Sequence, residues 1–301
     1  MKKRYDEWIT FTITPEWDQA TVVEVLKGPL MVSNRMINRL TRRKGIRLNG
    51  RTPFLKKQVR LGDRIQVAIR PKEQSELPPQ SVPFEVIFED TDLMVVNKPA
   101  GILVHPVREK DTHTLAHGII YHWQQQGVTG IARPVHRLDQ YTSGLILVAK
   151  NAYMHQLLDR QLRENRISRQ YQAFVAGSLQ DNEGVIQLPI GRDPHHPTRR
   201  MVKQSGDDAI THYRLLKQRN DISFVQVELE TGRTHQIRVH FSHLGHPLLG
   251  DRLYGGDSTW ITRQALHSAS LSLIHPLSQQ QMSFSADLPE DLERVYRQLV
   301  H

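Results

Sequence analysis

The chain has 301 residues, no cysteine and a formal net charge of +9 at neutral pH. Lack of cysteine excludes disulfides, a thiolate nucleophile and cysteine-ligated zinc. No apolar run approaches the ~20 residues of a membrane span, and no apolar segment follows the basic start Met1-Lys2-Lys3-Arg4. These features predict a soluble, cytoplasmic protein without a signal peptide, large enough for one large domain and one small one.

The charge is uneven. Residues 1–75 hold 17 Lys and Arg against 7 Asp and Glu, and 11 basic residues lie from Arg35 to Arg64 with Asp63 as the one acid among them. A single-sign patch of this density predicts a polyanionic partner, and nucleic acid is favoured over a membrane surface. Membrane-surface binding normally uses an amphipathic helix with an aromatic or leucine face.

In chain order, Ser33–Leu40 reads as a capped helix, with Ser33 as cap and Met36, Ile37 and Leu40 at helical spacing. Gly45–Gly50 alternates and ends in Asn49-Gly50, a hairpin signal. Val59–Val67 supplies a turn and a closing strand. Pro71–Pro83 is Pro-, Ser- and charge-rich and reads as a semi-extended linker.

Beyond it, strands are predicted at Phe84–Phe88, Leu93–Asn97, Leu145–Ala149, Tyr171–Ala176, Ala209–Leu216 and Phe224–Leu229. Helices are predicted near Thr114–Gln126, Tyr153–Glu164, Thr234–Leu244 and Asp291–Leu299. Many strands without regular βα alternation predict an α+β fold around a mixed or antiparallel sheet. The expected division is a basic domain at 1–70, a linker at 71–83 and a main domain at 84–301. Phosphate-loop, dinucleotide-fold and hydrolase-elbow signatures are absent from the sequence.

Three dense polar segments stand out. His136-Arg137-Leu138-Asp139 precedes the apolar run 145–149, and on local chemistry it reads as a structural Arg–Asp pair capping a turn. Thr231–His240 interleaves Arg233, His235 and Arg238 with apolar residues, and Asn97–Pro106 carries Lys98 at a strand end before a Pro/Gly turn. All 16 histidines lie beyond residue 100. The trios His113/His117/His122 and His240/His243/His246 lack the carboxylate or cysteine spacing of a metal site, so no metal is expected.

Together these segments resemble the RluA-type pseudouridine synthases, which isomerise uridine in structured RNA. The resemblance rests on five ordered motifs: Asp92–Pro106, His136–Leu145, Tyr171–Gly177, Pro189–Arg192 and Thr231–Gly255. The basic N-terminal piece resembles the small RNA-binding S4 domain through Ile46–Gly50 and Gly62–Ile65, although Ala20–Gly28 matches that family's opening helix poorly.

The resemblance implies a pseudouridine synthase fold behind a small S4-like α+β domain. It implies Asp139 as the essential carboxylate, Arg238 as its basic partner and Tyr171 as the active-site tyrosine that stacks on the target base. Arg137 would fill the space left by a flipped nucleotide. His136, Arg233, His235 and Lys98 would contact RNA or neighbouring loops, and Arg39, Arg42, Arg43 and Lys44 would contact RNA from the S4-like domain. The reaction is redox-neutral, so no cofactor is expected. The expected partner is RNA, large-subunit rRNA ahead of tRNA, and the expected state is a monomer. An idle RNA-binding or ribosome-assembly protein of the same fold is the alternative.

Overall fold

The computed structural model describes residues 8–219 and 221–300; the basic start at residues 1–7 lies outside them. The N-terminal unit contains β1 (Trp8–Thr12), α1 (Val22–Lys27), α2 (Asn34–Arg42), β2 (Ile46–Leu48) and β3 (Arg64–Ala68). Its sheet has the order β1-β3-β2, both pairs antiparallel. Helix α1 begins with a full capping box: Thr21 Oγ1 accepts from Glu24 N, and Thr21 N donates to the Glu24 carboxylate. The Thr-x-x-Glu spacing that signals such a start is present at 21–24, within the stretch that matches the S4 pattern poorly. Ser33 caps α2 as expected, and Met36, Ile37 and Leu40 are buried.

Asn49-Gly50 does form a left-handed turn, with φ of 50° and 81°. It closes a two-residue hairpin, with Leu48 and Arg51 exchanging backbone hydrogen bonds at 2.8 and 3.1 Å, but the hairpin goes no further than that one bridge. β2 pairs with β3, Leu48 opposite Ile65, after a loop over 49–63. Asn49 closes that loop by side chain: its Nδ2 donates to Asp63 Oδ1 at 2.7 Å and its Oδ1 accepts from Arg64 N at 2.8 Å. A turn signal in sequence reports local φ, while the register is decided by which strand buries its alternate residues against β2.

The main unit is built on a sheet of ten strands. In chain order its elements begin with β4 (Glu85–Glu89), β5 (Leu93–Lys98), α3 (Leu115–Gln125), β6 (Arg133–Pro134) and β7 (Ser143–Ala149). There follow α4 (Ala152–Arg163), β8 (Ser168–Ala176), β9 (Glu183–Gln187), β10 (Ile190–Arg192), β11 (Arg200–Val202) and β12 (Ile210–Arg219). The chain continues with β13 (Ile222–Leu229), α5 (Gln236–His243), β14 (Leu266–Ile274), β15 (Gln281–Ser285) and α6 (Glu290–Val300).

The sheet runs β4-β5-β7-β14-β8-β13-β12-β9, with β15 beside β14 and β6 beside β7; β10 and β11 form a separate pair. Every pairing in it is antiparallel except β7 with β14, so the sheet is mixed. All six strands expected from sequence are present. The central strand β14 is an addition, and it places the functional loops.

Residues 71–83 have no regular secondary structure, yet they touch the fold. Val82 is buried, and Gln80 exchanges hydrogen bonds with the His117 carbonyl and the His113 amide. The N-terminal unit docks on α4: Tyr153 and Leu157 complete its hydrophobic core. Tyr153 Oη donates to Leu30 O at 2.6 Å, and Gln156 bonds both Ser33 N and Met31 O.

Candidate active site

The site is assembled around Ser268 of β14. Ser268 lies opposite Gly144 of β7 on one side and Tyr171 of β8 on the other. Gly144 has φ of +111°, and a Cβ there would sit 2.2 Å from Ser268 O. Only glycine accepts both the conformation and the approach. The loop carrying Asp139, which leads into Gly144, is thereby held across one strand from Tyr171. A bulge between Ser268 and Ser270 marks the place, as bulges beside functional sites often do.

Asp139 is open to solvent over 24% of its side chain, and its Oδ2 accepts from Arg238 Nη1 at 2.9 Å. Arg238 is buried on α5. Its Nε and Nη2 form a fork on Asp251, at 2.7 and 2.9 Å, and its guanidinium lies 4.9 Å from the Tyr254 ring centre. Two donors therefore fix the plane of the guanidinium, and the remaining arm points at Asp139. Such bidentate, charge-assisted bonds are the directional ones. Burial works against the charge, but the carboxylates of Asp251 and Asp139 outweigh it and hold the Arg238 pKa above its ordinary value. The expected Asp139–Arg238 pair is thus present, and Arg137 beside Asp139 in sequence takes no part in it.

His235 caps α5 in the left-handed region, at φ 59°. A non-glycine residue held there costs about 1–3 kcal/mol and is a feature of functional sites. This conformation also explains why the helix begins at Gln236, two residues later than the sequence suggests. The Tyr254 hydroxyl accepts from Arg200 N at 2.9 Å and meets His235 Nδ1 at 2.8 Å. Burial pushes this phenol up to about 12, so it stays protonated. His235 Nε2 lies 3.9 Å from Asp139 Oδ2. Burial lowers the His235 pKa despite Asp139 nearby. Arg238 carries the positive charge of the site.

Gln236, buried beneath, has all its hydrogen-bonding capacity met. Its oxygen accepts from Thr231 Oγ1 and Arg233 N, and its nitrogen donates to Ile210 O and Thr211 Oγ1. It fastens the 231–236 loop to β12. Tyr171 is only 4% exposed and packs in the main core. Burial, with Asp139 adding to it, raises its pKa, while Arg169 and the Ser268 hydroxyl oppose the rise. The phenol is the floor of the site.

Two of the residues expected to contact RNA or neighbouring loops lie inside, and of these Lys98 does contact a loop. His136 is 6% exposed; its Nε2 accepts from Leu147 N at 3.2 Å, and burial pushes its pKa down to about 3. The neutral ring is a strut behind the loop. Burial alternates along this loop: His136 and Leu138 are buried, Arg137 is exposed and Asp139 is partly open. Arg137 is exposed, with no hydrogen bond or ion pair among the described residues.

Lys98 is fully buried. Its Nζ donates to Pro99 O, Ile102 O and Gln140 O at 2.8, 3.0 and 3.0 Å, using all three donors of an ammonium. Burial and the repulsion of Arg263 push its pKa down to about 7, with Asp139 pulling the other way. Arg263, which no sequence motif singles out, forks onto Asp291 at 2.6 and 2.9 Å and donates to Tyr141 O at 3.0 Å. Lys98 and Arg263 thus hold consecutive carbonyls of the Asp139 loop.

Arg233 is exposed and its Nε donates to Asp208 O. Arg42, Arg43 and Lys44 are exposed on or just after α2, and Arg39 is paired with Glu73 at 3.2 Å. These four do not reach the Asp139 cluster. Sequence reasoning assigns no role to Asp251 or Tyr254, although both stand in the Gly250–Gly255 part of the fifth motif. The histidine trios do not converge: His122 pairs with Glu89, His240 bonds Thr211 and Leu188 O, and His246 bonds Ala176 O.

The mixed sheet and the arginine-held aspartate sit within the motifs that resemble the RNA pseudouridine synthases, a family of isomerases. The chain belongs to this family: residues 92–243 match the RNA pseudouridylate synthase family, and residues 9–65 match the RluD ribosomal pseudouridine synthase N-terminal domain. It is 40% identical over 287 residues to the uncharacterized RNA pseudouridine synthase YhcT of Bacillus subtilis (strain 168), covering 95% of each chain. It is 41% identical to ribosomal large subunit pseudouridine synthase D of Zymomonas mobilis, covering 74% of each. Among solved structures it resembles human RNA pseudouridylate synthase domain containing 1, with a TM-score of 0.58, 25% identity, and coverage of 74% of this chain and 97% of that one.

Proposed function

We propose that this pseudouridine synthase acts on uridines of large-subunit ribosomal RNA, with Asp139 as the carboxylate that works on the ribose. The observation that carries the assignment is the Asp251–Arg238–Asp139 chain. One buried aspartate orients and charges the arginine, and the arginine presents its free arm to a second aspartate that is open to a ligand. A carboxylate held by a buried, oriented cation and left open on its other side is placed for chemistry.

The reaction breaks the C1′–N1 bond, turns the uracil and joins C5 to C1′, and the C5 proton is lost in exchange for one on N1. Asp139 attacks C1′, or it takes the C2′ proton so that the base leaves a glycal. Either way, atoms and electrons stay within the nucleoside and the solvent proton pool, so the reading needs no cofactor or energy source. Tyr171 supports the base from below and its hydroxyl assists proton transfer at C5. Arg137 enters the stack where the nucleotide left it and offsets part of the few kcal/mol that flipping costs.

In this reading residues 1–70 hold the RNA through Arg42, Arg43 and Lys44, residues 71–83 connect, and 84–301 carry the chemistry. Arg233 and His235 face the phosphates near the flipped nucleotide. Large-subunit rRNA is supported by relatives named as synthases of that subunit. The protein works as a monomer in the cytoplasm. The test is a pseudouridine map, by carbodiimide-blocked primer extension, of RNA from cells carrying the wild-type protein or Asp139→Asn. Loss of one or more large-subunit positions is expected. A map in which only tRNA positions vanish overturns the substrate, and an unchanged map overturns the role of Asp139.

A further inference from the structure

A cleft of about 750 Å³ lies away from the Asp139 cluster, between α2 of the N-terminal unit and α4 of the main unit. One wall is the polar face of α2. Arg35, Asn38, Arg39 and Arg42 recur at i, i+3, i+4 and i+7, opposite the buried Met36, Ile37 and Leu40, so their side chains line one stripe. The other wall is His155 and Gln156 of α4 with Arg133 of β6. Arg35 and Arg42 make no ion pair among the described residues. Glu73, which is not itself part of the lining, joins the two walls. One carboxylate oxygen takes Arg39 Nη1 at 3.2 Å and the other takes Arg133 Nη2 at 2.8 Å.

A carboxylate bridging an arginine from each unit occupies the place of a phosphate, since both anions offer two oxygens to guanidinium forks. We propose that the cleft is a second RNA-binding site, in which backbone phosphates displace Glu73 from Arg39 and Arg133 and continue along Arg35 and Arg42. The proposal rests on RNA being the substrate, and adds where a remote part of it is held. Charge decides the occupant: five arginines line the cleft, Arg43 included, and Glu73 is the one acid paired with them, among the described residues, that the ligand replaces. The distance suits a structured RNA. β7 runs from Ser143, beside the active site, to Ala149, which pairs with Arg133, and that strand is roughly 20 Å long. RNA held here meets the protein well away from the flipped uridine. Because Arg133 belongs to the main unit, the RNA bridges both units and favours their docked arrangement.

Glu73 makes the proposal testable in an unusual direction. Removing a residue that only clamps the two units together weakens binding or leaves it unchanged. Removing a competitor for the arginines tightens it. Affinity for a fluorescein-labelled RNA stem-loop is measured against KCl concentration for the full-length wild type, Glu73→Gln, Arg133→Gln and Arg35→Gln/Arg42→Gln. Glu73→Gln is expected to bind about three- to tenfold tighter, and Arg133→Gln several-fold weaker. The double variant binds about tenfold more weakly, and its slope of log affinity on log salt flattens by about 1.4–1.8, from about 0.7–0.9 for each phosphate it no longer neutralises.

In the wild-type protein, RNA is expected to slow hydrogen exchange on both α2 and α4, a readout that no variant has to fold for. Weaker or unchanged binding by Glu73→Gln, with no exchange protection on α4, overturns the cleft even if the α2 arginines prove to bind RNA elsewhere. Competition by polyglutamate as effective as by RNA means an acidic protein partner, and also overturns it. Wild type that binds no RNA at all is the distinct failure of the underlying reading.

Discussion

The Asp139 cluster and the arginine stripe of α2 use positive charge in opposite ways. At Asp139 one arginine is buried, its orientation set by a fork on Asp251, and its charge is matched by carboxylates within hydrogen-bond distance. On α2 the arginines are mostly exposed, repeat along a helix face and include members with no ion-pair partner among the described residues. The first arrangement aims one bond at one atom. The second makes a field that holds any polyanion and is screened within about 8 Å at physiological salt. In the proposed function, geometry serves the reacting group, and density of charge serves the long substrate.

The harshest way to break the contrast is Asp139→Asn. The amide keeps the size of the side chain and takes away the charge and the nucleophilic oxygen. Turnover should fall by ~10³-fold or more, in the range seen when a proton-transfer or nucleophilic group is lost. RNA affinity, measured by filter binding, should stay within a few-fold of wild type. A variant that binds ten times worse would mean that Asp139 belongs with the binding surface.

Asp251→Ala follows. It leaves Arg238 buried with half its compensation gone, and breaking a buried pair in this way costs about 3–5 kcal/mol. The urea midpoint should drop accordingly, and turnover should fall with it, because the arm that reaches Asp139 is no longer aimed. An α2 arginine replaced in the same way should leave the midpoint where it is.

How much of this is legible in the sequence follows the same division. The strands with continuous apolar runs and the helices with clear periodicity are readable, and so is the basic domain. The Asp139–Arg238 pair, 99 residues apart, comes from family resemblance and not from local chemistry, which favours Arg137. Strand β14 escapes because Ser268, Ala269 and Ser270 occupy the stretch that approaches Gly144 and Tyr171, and its apolar alternation begins only at Leu271 and Leu273. Small residues are needed where backbones come this close, and they carry no strand signal.

His136 and Lys98 look like RNA- or loop-contacting residues in the sequence because they sit in polar motifs. The fold of the loop turns one inward, where its Nε2 accepts from Leu147 N, and the three carbonyls draw in the other. Arg263 has no signal at all. Its partners Tyr141 O and Asp291 become neighbours only once the sheet has formed.

Lys98→Met sharpens the role of the buried basic groups. It deprives three carbonyls of their donor, at a cost of about 1–3 kcal/mol for a group left unsatisfied, and it frees Gln140 at the mouth of the site. The lysine also leaves a mark on the pH dependence. Its folded pKa is about 7 against an ordinary 10.5. Within that window the unfolded chain holds a proton the folded chain has released. The group therefore adds stability as pH rises, and the addition is lost as pH falls toward 7. Wild-type stability minus that of Lys98→Met, from urea unfolding, should grow between pH 7 and 9. A constant difference would falsify the titration of Lys98 in this window.

The gentlest change tests the other side of the contrast. Arg43 is exposed at the end of α2, so Arg43→Gln removes one solvated charge and no packing. RNA affinity should weaken by about threefold near physiological salt, with the salt slope reduced by about 0.7–0.9, the share of a single phosphate. Turnover at saturating RNA should not change. The same separation should appear in the wild-type enzyme: KM should climb steeply with KCl while kcat stays flat, since the bonds around Arg238 are made where salt does not screen them. A kcat that falls in parallel with affinity would mean that the charged surface does more than hold the RNA. It would have to set the position of the uridine over Asp139, and the line between binding and chemistry would move from the domain boundary to the substrate itself.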